Sequence, residues 1–426
     1  MRLDENDRAI TVFTALAHGV FHTYELSIPI FIVIWLDVFD VSAAVLGLVV
    51  GLGYGLIGVG AVPSGVLADR YGSRRLIVVS VVGMGGGFLA LSVSPSVWTL
   101  ALAIVVWGAA ASIYHPAGLS LISRGARERG TVFAYHGVGG NVGTALGPLL
   151  AALALVFLDW RLVAVLLVVP AVAVVVLGST IEFETDRDEE ETVADGGEVE
   201  DEGESGSEAD DEADASLTLG SFLADSRKLF TLGFALTFVV VMLYGTYYRG
   251  LLTFLPDMIA DLPGFEPFTV MGQTAEPGQY VYSGLLMIGI LGQYAGGRVT
   301  DLVRTEYALF STLAVLSAMA FAFLPVASVG VAPFLVLCAV LGFCLYATAP
   351  IYQVVIAEYA ASDVHGLSYG YTYLGMFGVG AAGAAIAGGL LTYADSAALF
   401  LTLGSVALVA AALTLVVYTI GERNSD

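Results

Sequence analysis

The chain is predicted to be an all-α membrane protein with twelve transmembrane helices in two pseudo-symmetric six-helix bundles. Three observations carry that prediction. The 426 residues are 57% hydrophobic and only 13% charged, about half the charge of a water-soluble protein. Apolar runs fall at 10–36, 42–66, 75–94, 97–122, 131–157, 162–180, 229–255, 280–297, 306–326, 331–357, 366–393 and 396–420, most of them near the ~20 residues that cross a bilayer as a helix. A charged turn between apolar runs, Gly65-Val-Leu-Ala-Asp69-Arg70-Tyr-Gly72-Ser-Arg74-Arg75, returns 232 residues later as Gly297-Arg-Val-Thr-Asp301, with Arg304 behind it.

The repeat extends along the chain. Gly108 precedes Pro116, and Gly342 precedes Pro350, at an offset of 234. Gly130, Tyr135, Gly139 and Gly147 match Gly366, Tyr371, Gly375 and Gly383 at an offset of 236. The reading is therefore a first bundle over 1–180, a linker over 181–220 and a second bundle over 221–426. Gly, Ala and Ser fill many of the runs, as close helix packing in lipid requires. The linker region is acidic: Glu182–Asp214 holds 18 carboxylates and one Arg, so it supplies −17 of the net −23. With few large apolar residues, this segment is expected to be disordered. One Lys against 15 Arg, beside that acidity, suggests a salt-rich cytoplasm of halophilic type, where screening makes dense like charge tolerable.

Basic residues set the expected orientation. With both termini in the cytoplasm, 14 of the 16 Lys and Arg lie on that side and only Arg161 and Arg249 fall near the outside, the bias of a multi-pass cytoplasmic-membrane protein. No removable signal peptide is expected. Cys338 and Cys344 sit six residues apart in one run, ~9 Å along a helix axis, which is too far for a disulfide. The sequence shows no metal-ligand spacing, phosphate loop or nucleophile elbow. An enzyme, a cofactor and a nucleic-acid partner are therefore not expected.

The turn Gly65-x-Leu67-Ala68-Asp69-Arg70-x-Gly72-x-Arg74-Arg75 resembles the helix 2–3 signature of the major facilitator superfamily, and the likeness covers the whole chain. It implies a transporter that works by alternating access, usually as a monomer. Gly65 would permit a tight helix crossing, and Asp69 and Arg74, with Arg70, Gly72, Gly297, Asp301 and Arg304 completing the two copies, would form a conformational switch against the other half. A narrower resemblance is to the fosmidomycin-resistance-like branch: His18, His22, Tyr24 and Pro29 in helix 1, Tyr114-His115-Pro116 in helix 4, and Gly139-Gly140-Asn141 with Gly147-Pro148 in helix 5. His22 stands where that branch has Asp. Gly143-x-x-x-Gly147-Pro148 resembles the antiporter signature of helix 5, and the resemblance tilts the reading toward export.

Ionisable groups inside a bilayer are costly and seldom persist without a role. His18, His22 and Glu25 lie within a 60° arc of one helix face, a set suited to taking and passing a proton. Protons are the expected coupling ion, with sodium as the alternative. His115 and His136, both ~10 Å from the cytoplasmic ends of consecutive helices, are expected to share a cavity for a small-molecule substrate, with Asn141 deeper. Helix 7 offers Tyr244, Tyr247, Tyr248 and Arg249. Arg249, ~30 Å along that helix, is expected near the outer surface beside an aromatic belt, or else in a central cavity where it would favour anionic solutes. Gln293, Tyr346, Tyr352 and Gln353 are the candidates from the second half. Tyr369, Tyr371 and Tyr373 are expected to divide between cavity and lipid.

Overall fold

The computed structural model describes residues 3–184, 224, 226–360 and 365–425. The acidic linker expected over 181–220 lies, beyond residue 184, outside the described residues. Among the described residues, twelve long helical segments run back and forth. They are α1 Glu5–Val38, α2 Ala43–Tyr71, α3 Ser73–Ser92, α4 Val97–Gly125, α5 Arg129–Leu155 and α6 Trp160–Thr180, followed by α7 Leu232–Ala260, α8 Pro277–Val299, α9 Thr305–Val329, α10 Val331–Tyr359, α11 Leu367–Tyr393 and α12 Ser396–Ser425. Eleven are long and apolar enough to cross a membrane. The other, α8, has the length but carries Gln279, Tyr282, Ser283 and Gln293 among its 23 residues. Gln279, Tyr282 and Ser283 are buried against protein rather than offered to lipid.

The two halves repeat one packing plan. In the first, α1 lies on α5, α2 on α4, and α3 on α4 and α6; in the second, α7 lies on α11, α8 on α10, and α9 on α10 and α12. Glycine makes the α1–α5 and α7–α11 crossings possible, because no side chain fits between the backbones. A Cβ on Gly143 would stand 2.1 Å from the Gly19 carbonyl oxygen, and one on Gly139 2.2 Å from that of Ala15. In the second half, a Cβ on Gly380 would stand 2.8 Å from Gly245 Cα, and one on Gly383 2.1 Å from the Thr246 oxygen. The helix-5 residues Gly143 and Gly147 thus seat α1, and Pro148 is buried beside them.

The switch motif does something other than expected. Gly72 joins α2 to α3 as a single residue at φ +85°, a backbone only glycine adopts without penalty. A Cβ on Gly65 would meet nothing within 4 Å, so Gly65 makes no tight crossing here. Arg74 donates to the carbonyls of Gly178 (3.0 and 2.8 Å) and Ile181 (2.6 Å), capping the open end of α6. It pins the first half to itself and does not reach the second. Arg70 is exposed, and the Asp69 side chain lies outside the description. In the echo, a Cβ on Gly297 also meets nothing and Asp301 is exposed. Arg304 lies 3.5 Å from Glu306 and over the Tyr418 ring, again within its own half.

The stretch between the apolar runs 229–255 and 280–297 is largely structured. Helix α7 continues to Ala260, and a hairpin of β1 Phe268–Val270 and β2 Gln273–Ala275 turns at Met271 and Gly272, both at positive φ. A two-residue turn of this hand matches strand twist.

Candidate functional site

The halves meet along α2–α11, α5–α8 and α1–α7. At the end away from the chain termini they are sealed. A Cβ on Gly47 would stand 2.5 Å from the Ala384 oxygen, and one on Gly388 2.2 Å from the Ala43 oxygen. Tyr282 Oη donates to the Leu26 carbonyl (3.1 Å), Gln279 Nε2 to that of Ile30 (3.4 Å), and the Ala44 amide to Thr392 Oγ1 (2.8 Å). Toward the terminal end the seam widens into a cavity of about 650 Å³. It is lined as far as Ser123 in the last turns of α4, Phe133 in the first turns of α5, and Gln353 and Tyr369 at the matching ends of α10 and α11.

Most of the candidate residues converge on this cavity: His18, His22, Glu25, His115, His136, Asn141, Tyr244, Gln293, Tyr346, Tyr352 and Gln353 all line it. Tyr24 does not. It lies one residue, ~100° of helix, from Glu25, so its ring faces α3 and packs 4.2 Å from Phe88. Tyr248, which the sequence offered on helix 7, and Tyr369 and Tyr373, which it left between cavity and lipid, also line the wall, together with Thr144 and Phe377, which it did not single out. The four-residue spacings Tyr244/Tyr248 and Tyr369/Tyr373 place each pair on one helical face and were the available signal. Tyr371 points elsewhere, its hydroxyl 2.9 Å from Ser226 Oγ.

Arg249 is the main correction. It is neither at an outer aromatic belt nor on the cavity wall. Buried with Glu25, each side chain 2% exposed, it forms a salt bridge to Glu25 Oε1 across the seam, joining α7 to α1. Its guanidinium stacks 3.8 Å over the Tyr54 ring, and Tyr54 in turn donates to the Glu25 carbonyl at 3.0 Å. An arginine buried in the membrane persists only when paired, and its partner stands 224 residues away in the chain.

From this bridge a chain of contacts runs into the cavity. Glu25 Oε2 lies 2.7 Å from His22 Nδ1, His22 Nε2 lies 3.0 Å from His18 Nε2, and His18 Nδ1 lies 2.9 Å from the His136 carbonyl. Two neutral imidazoles carry two N–H protons between them, but the chain has three gaps to fill. It closes fully only with one further proton, on the ring pair or on Glu25. The His18 and His136 rings stack at 4.1 Å, and His115 stands edge-on to His18 at 5.1 Å. One ring nitrogen from each of His18, His115 and His136 falls within 4.8 Å of the others, the one grouping of potential metal ligands among the described residues.

Two helical bundles related by an internal repeat, with a polar cavity in their seam, define a membrane transporter. The chain belongs to the Major Facilitator Superfamily, whose family model matches residues 14–383. It is 28% identical over 143 residues to the multidrug resistance protein MdtH of Klebsiella pneumoniae strain 342, covering 32% of this chain and 34% of that protein. It is 36% identical over 100 residues to the puromycin resistance protein pur8 of Streptomyces alboniger, covering 23% and 20%. It is 31% identical over 130 residues to a Na⁺, Li⁺, K⁺/H⁺ antiporter of Planococcus maritimus, covering 29% and 30%. The matches thus span 20–34% of the length of these relatives. Over the whole fold, the chain superposes on a bacterial homologue of the human lysosomal transporter Spinster in its inward-facing, unoccupied conformation, with a TM-score of 0.73 at 14% identity and 97% of each chain covered. A peptide transporter of the POT family in complex with sulfate gives 0.70 at 15%, covering 97% and 94%.

Proposed function

We propose that this transporter exports a drug-sized aromatic solute, neutral or cationic, from the cytoplasm in exchange for protons. In this reading both termini are cytoplasmic and the cavity faces inward. The observation that carries it is the Glu25–Arg249 bridge, which ties the halves together on the closed side and connects through His22 to the cavity. The bridge forms only with Glu25 as a carboxylate, so closing the outer side expels a proton taken up from outside into the inward-facing cavity through His22. A solute bound beside Glu25 then competes with Arg249 for the carboxylate and favours opening outward. Solute binding and proton loading then act on one two-state element, as coupled transport requires.

The substrate class follows from the lining. A cavity of about 650 Å³ is in the range that encloses drug-sized ligands. Among the described residues, its wall carries Tyr244, Tyr248, Tyr346, Tyr352, Tyr373 and Phe377 beside one carboxylate, with no Lys or Arg. Aromatic faces attract flat rings and cations. Arg249 is sealed behind Glu25, which removes the reason to expect anions. The export direction is supported by the resistance proteins that the chain resembles. The matched antiporter supports a second reading, in which a monovalent cation is the cargo; solute-free cation exchange would distinguish it.

The test is proton flux into proteoliposomes on addition of an aromatic cation such as puromycin, with wild type and Glu25→Gln. Loss of solute-driven flux in Glu25→Gln is expected. Undiminished flux would remove Glu25 from the mechanism.

A further inference from the structure

We propose that His18, His115 and His136 form a binding site for a first-row transition-metal dication, with Zn²⁺ as its representative, on the first-half wall of the cavity. The inference is independent of the coupling mechanism and of the direction of transport.

Three observations converge. The three imidazoles come from α1, α4 and α5, and one nitrogen of each lies within 4.8 Å of the others. A tetrahedral zinc centre with Zn–N of ~2.0–2.1 Å sets its nitrogens ~3.3 Å apart, so side-chain torsions must draw these together by at most roughly 1.5 Å and turn the stacked His18 and His136 rings toward one point. His115 is 7% exposed, and its Nε2 has no hydrogen-bond partner. A buried imidazole nitrogen without a partner is costly to leave so and is the kind of donor a metal recruits. The outer contacts are also suited to ligation. His18 Nδ1 is held 2.9 Å from the His136 carbonyl, which leaves Nε2 as the coordinating atom, and a second ring nitrogen tied to a carbonyl is the usual support of a metal-bound histidine.

The ligand set selects the ion class. Three neutral nitrogen donors with no carboxylate among them suit Zn²⁺, Ni²⁺ or Cu²⁺ and discriminate against Mg²⁺ and Ca²⁺, which take oxygen ligands. The fourth position would face the cavity and stay open to water. His18 Nε2 otherwise lies 3.0 Å from His22 Nε2, so a bound ion displaces His22 from that contact. The ion and the intact His22–His18 chain therefore exclude one another.

The spacing 18, 115, 136 resembles no local metal motif, because the three helices converge only in the folded bundle. The site is tested on the purified, tag-free full chain in detergent, without a membrane gradient, so its outcome is separate from any transport assay. Isothermal titration with Zn²⁺ should show one saturable site per chain. His115→Gln and His136→Gln should each weaken it at least about tenfold, while His365→Ala, which removes the remaining histidine outside the cluster and His22, should leave it unchanged. Co²⁺ loading of the wild type should give the intense visible bands of a four-coordinate centre, a readout that needs no variant to fold. Absence of saturable binding, or binding that survives His115→Gln, or a weak six-coordinate Co²⁺ spectrum, would each overturn the proposal.

Discussion

Across the cavity, the first half presents imidazoles and a carboxylate, and the second half presents phenols. Gly143 packs on the backbone of Gly19 and Gly380 on that of Gly245, so each wall rides on a helix seated against its partner at a glycine. Beside those glycines α1 carries His18 and His22, and α7 carries Tyr244 and Tyr248. The tyrosine hydroxyls are tied to α10, Tyr244 to the Leu345 carbonyl at 2.6 Å and Tyr248 to Tyr346 Oη at 3.1 Å. The imidazoles are tied to one another and to Glu25. One scaffold thus holds exchangeable protons on one wall and a fixed aromatic surface on the other.

The sharpest way to break this comparison is to attack the shared scaffold. Gly143→Leu and Gly380→Leu should both abolish folding, because the added side chains would have to occupy backbone of the facing helix 2.1–2.8 Å away. Neither helix can retreat without opening its bundle. The yield of monodisperse protein after detergent extraction measures this. If one substitution is tolerated and the other is not, the two crossings are not equivalent.

Next in size is the bridge between the walls. Arg249→Met leaves the Glu25 carboxylate buried without its cation, which costs ~3–5 kcal/mol for such a pair. Thermal unfolding in detergent should show a large drop. Adding Glu25→Gln to Arg249→Met should recover much of it, since replacing both charges is far less costly than stranding one.

The division of labour itself is tested by a matched pair of substitutions. His22→Gln should abolish solute-driven proton flux while equilibrium solute affinity stays within about tenfold, or ~1.4 kcal/mol. Tyr248→Ala should do the reverse, weakening solute affinity by roughly 0.5–1.5 kcal/mol through the lost ring contact while flux per bound solute persists. Equal effects of both substitutions on both measurements would mean that the walls share one task.

How far the sequence disclosed this site follows from which distances it encodes. Helical spacing within one segment placed His18, His22 and Glu25 on one face, and composition with the repeated glycines disclosed the two bundles. Depth counting failed for Arg249, because α7 runs to Ala260 instead of stopping near 255, and because its partner belongs to the other half. Tyr24 entered through the resemblance of helix 1, although it is adjacent to Glu25 and adjacent residues on a helix face different ways. The orphaned nitrogen of His115 and the approach of three rings from three helices are tertiary facts with no local pattern. The switch motif was legible as a motif, but its packing depends on which way the cavity faces.

That last point yields the smallest and most discriminating expectation. With nothing within 4 Å of a Cβ at position 65, Gly65→Ala meets no steric barrier here. It should raise stability by about 0.5–1 kcal/mol through helix propensity, read as a slightly higher melting temperature in detergent. Transport measured on the same variant then locates the motif in the cycle. If turnover falls while stability rises, the crowding at Gly65 belongs to the opposite-facing conformation, where α2 must meet the second half. If turnover is unchanged, Gly65 contributes nothing to the cycle and the motif's constraint rests on Gly72 and Arg74, which are engaged within the first half.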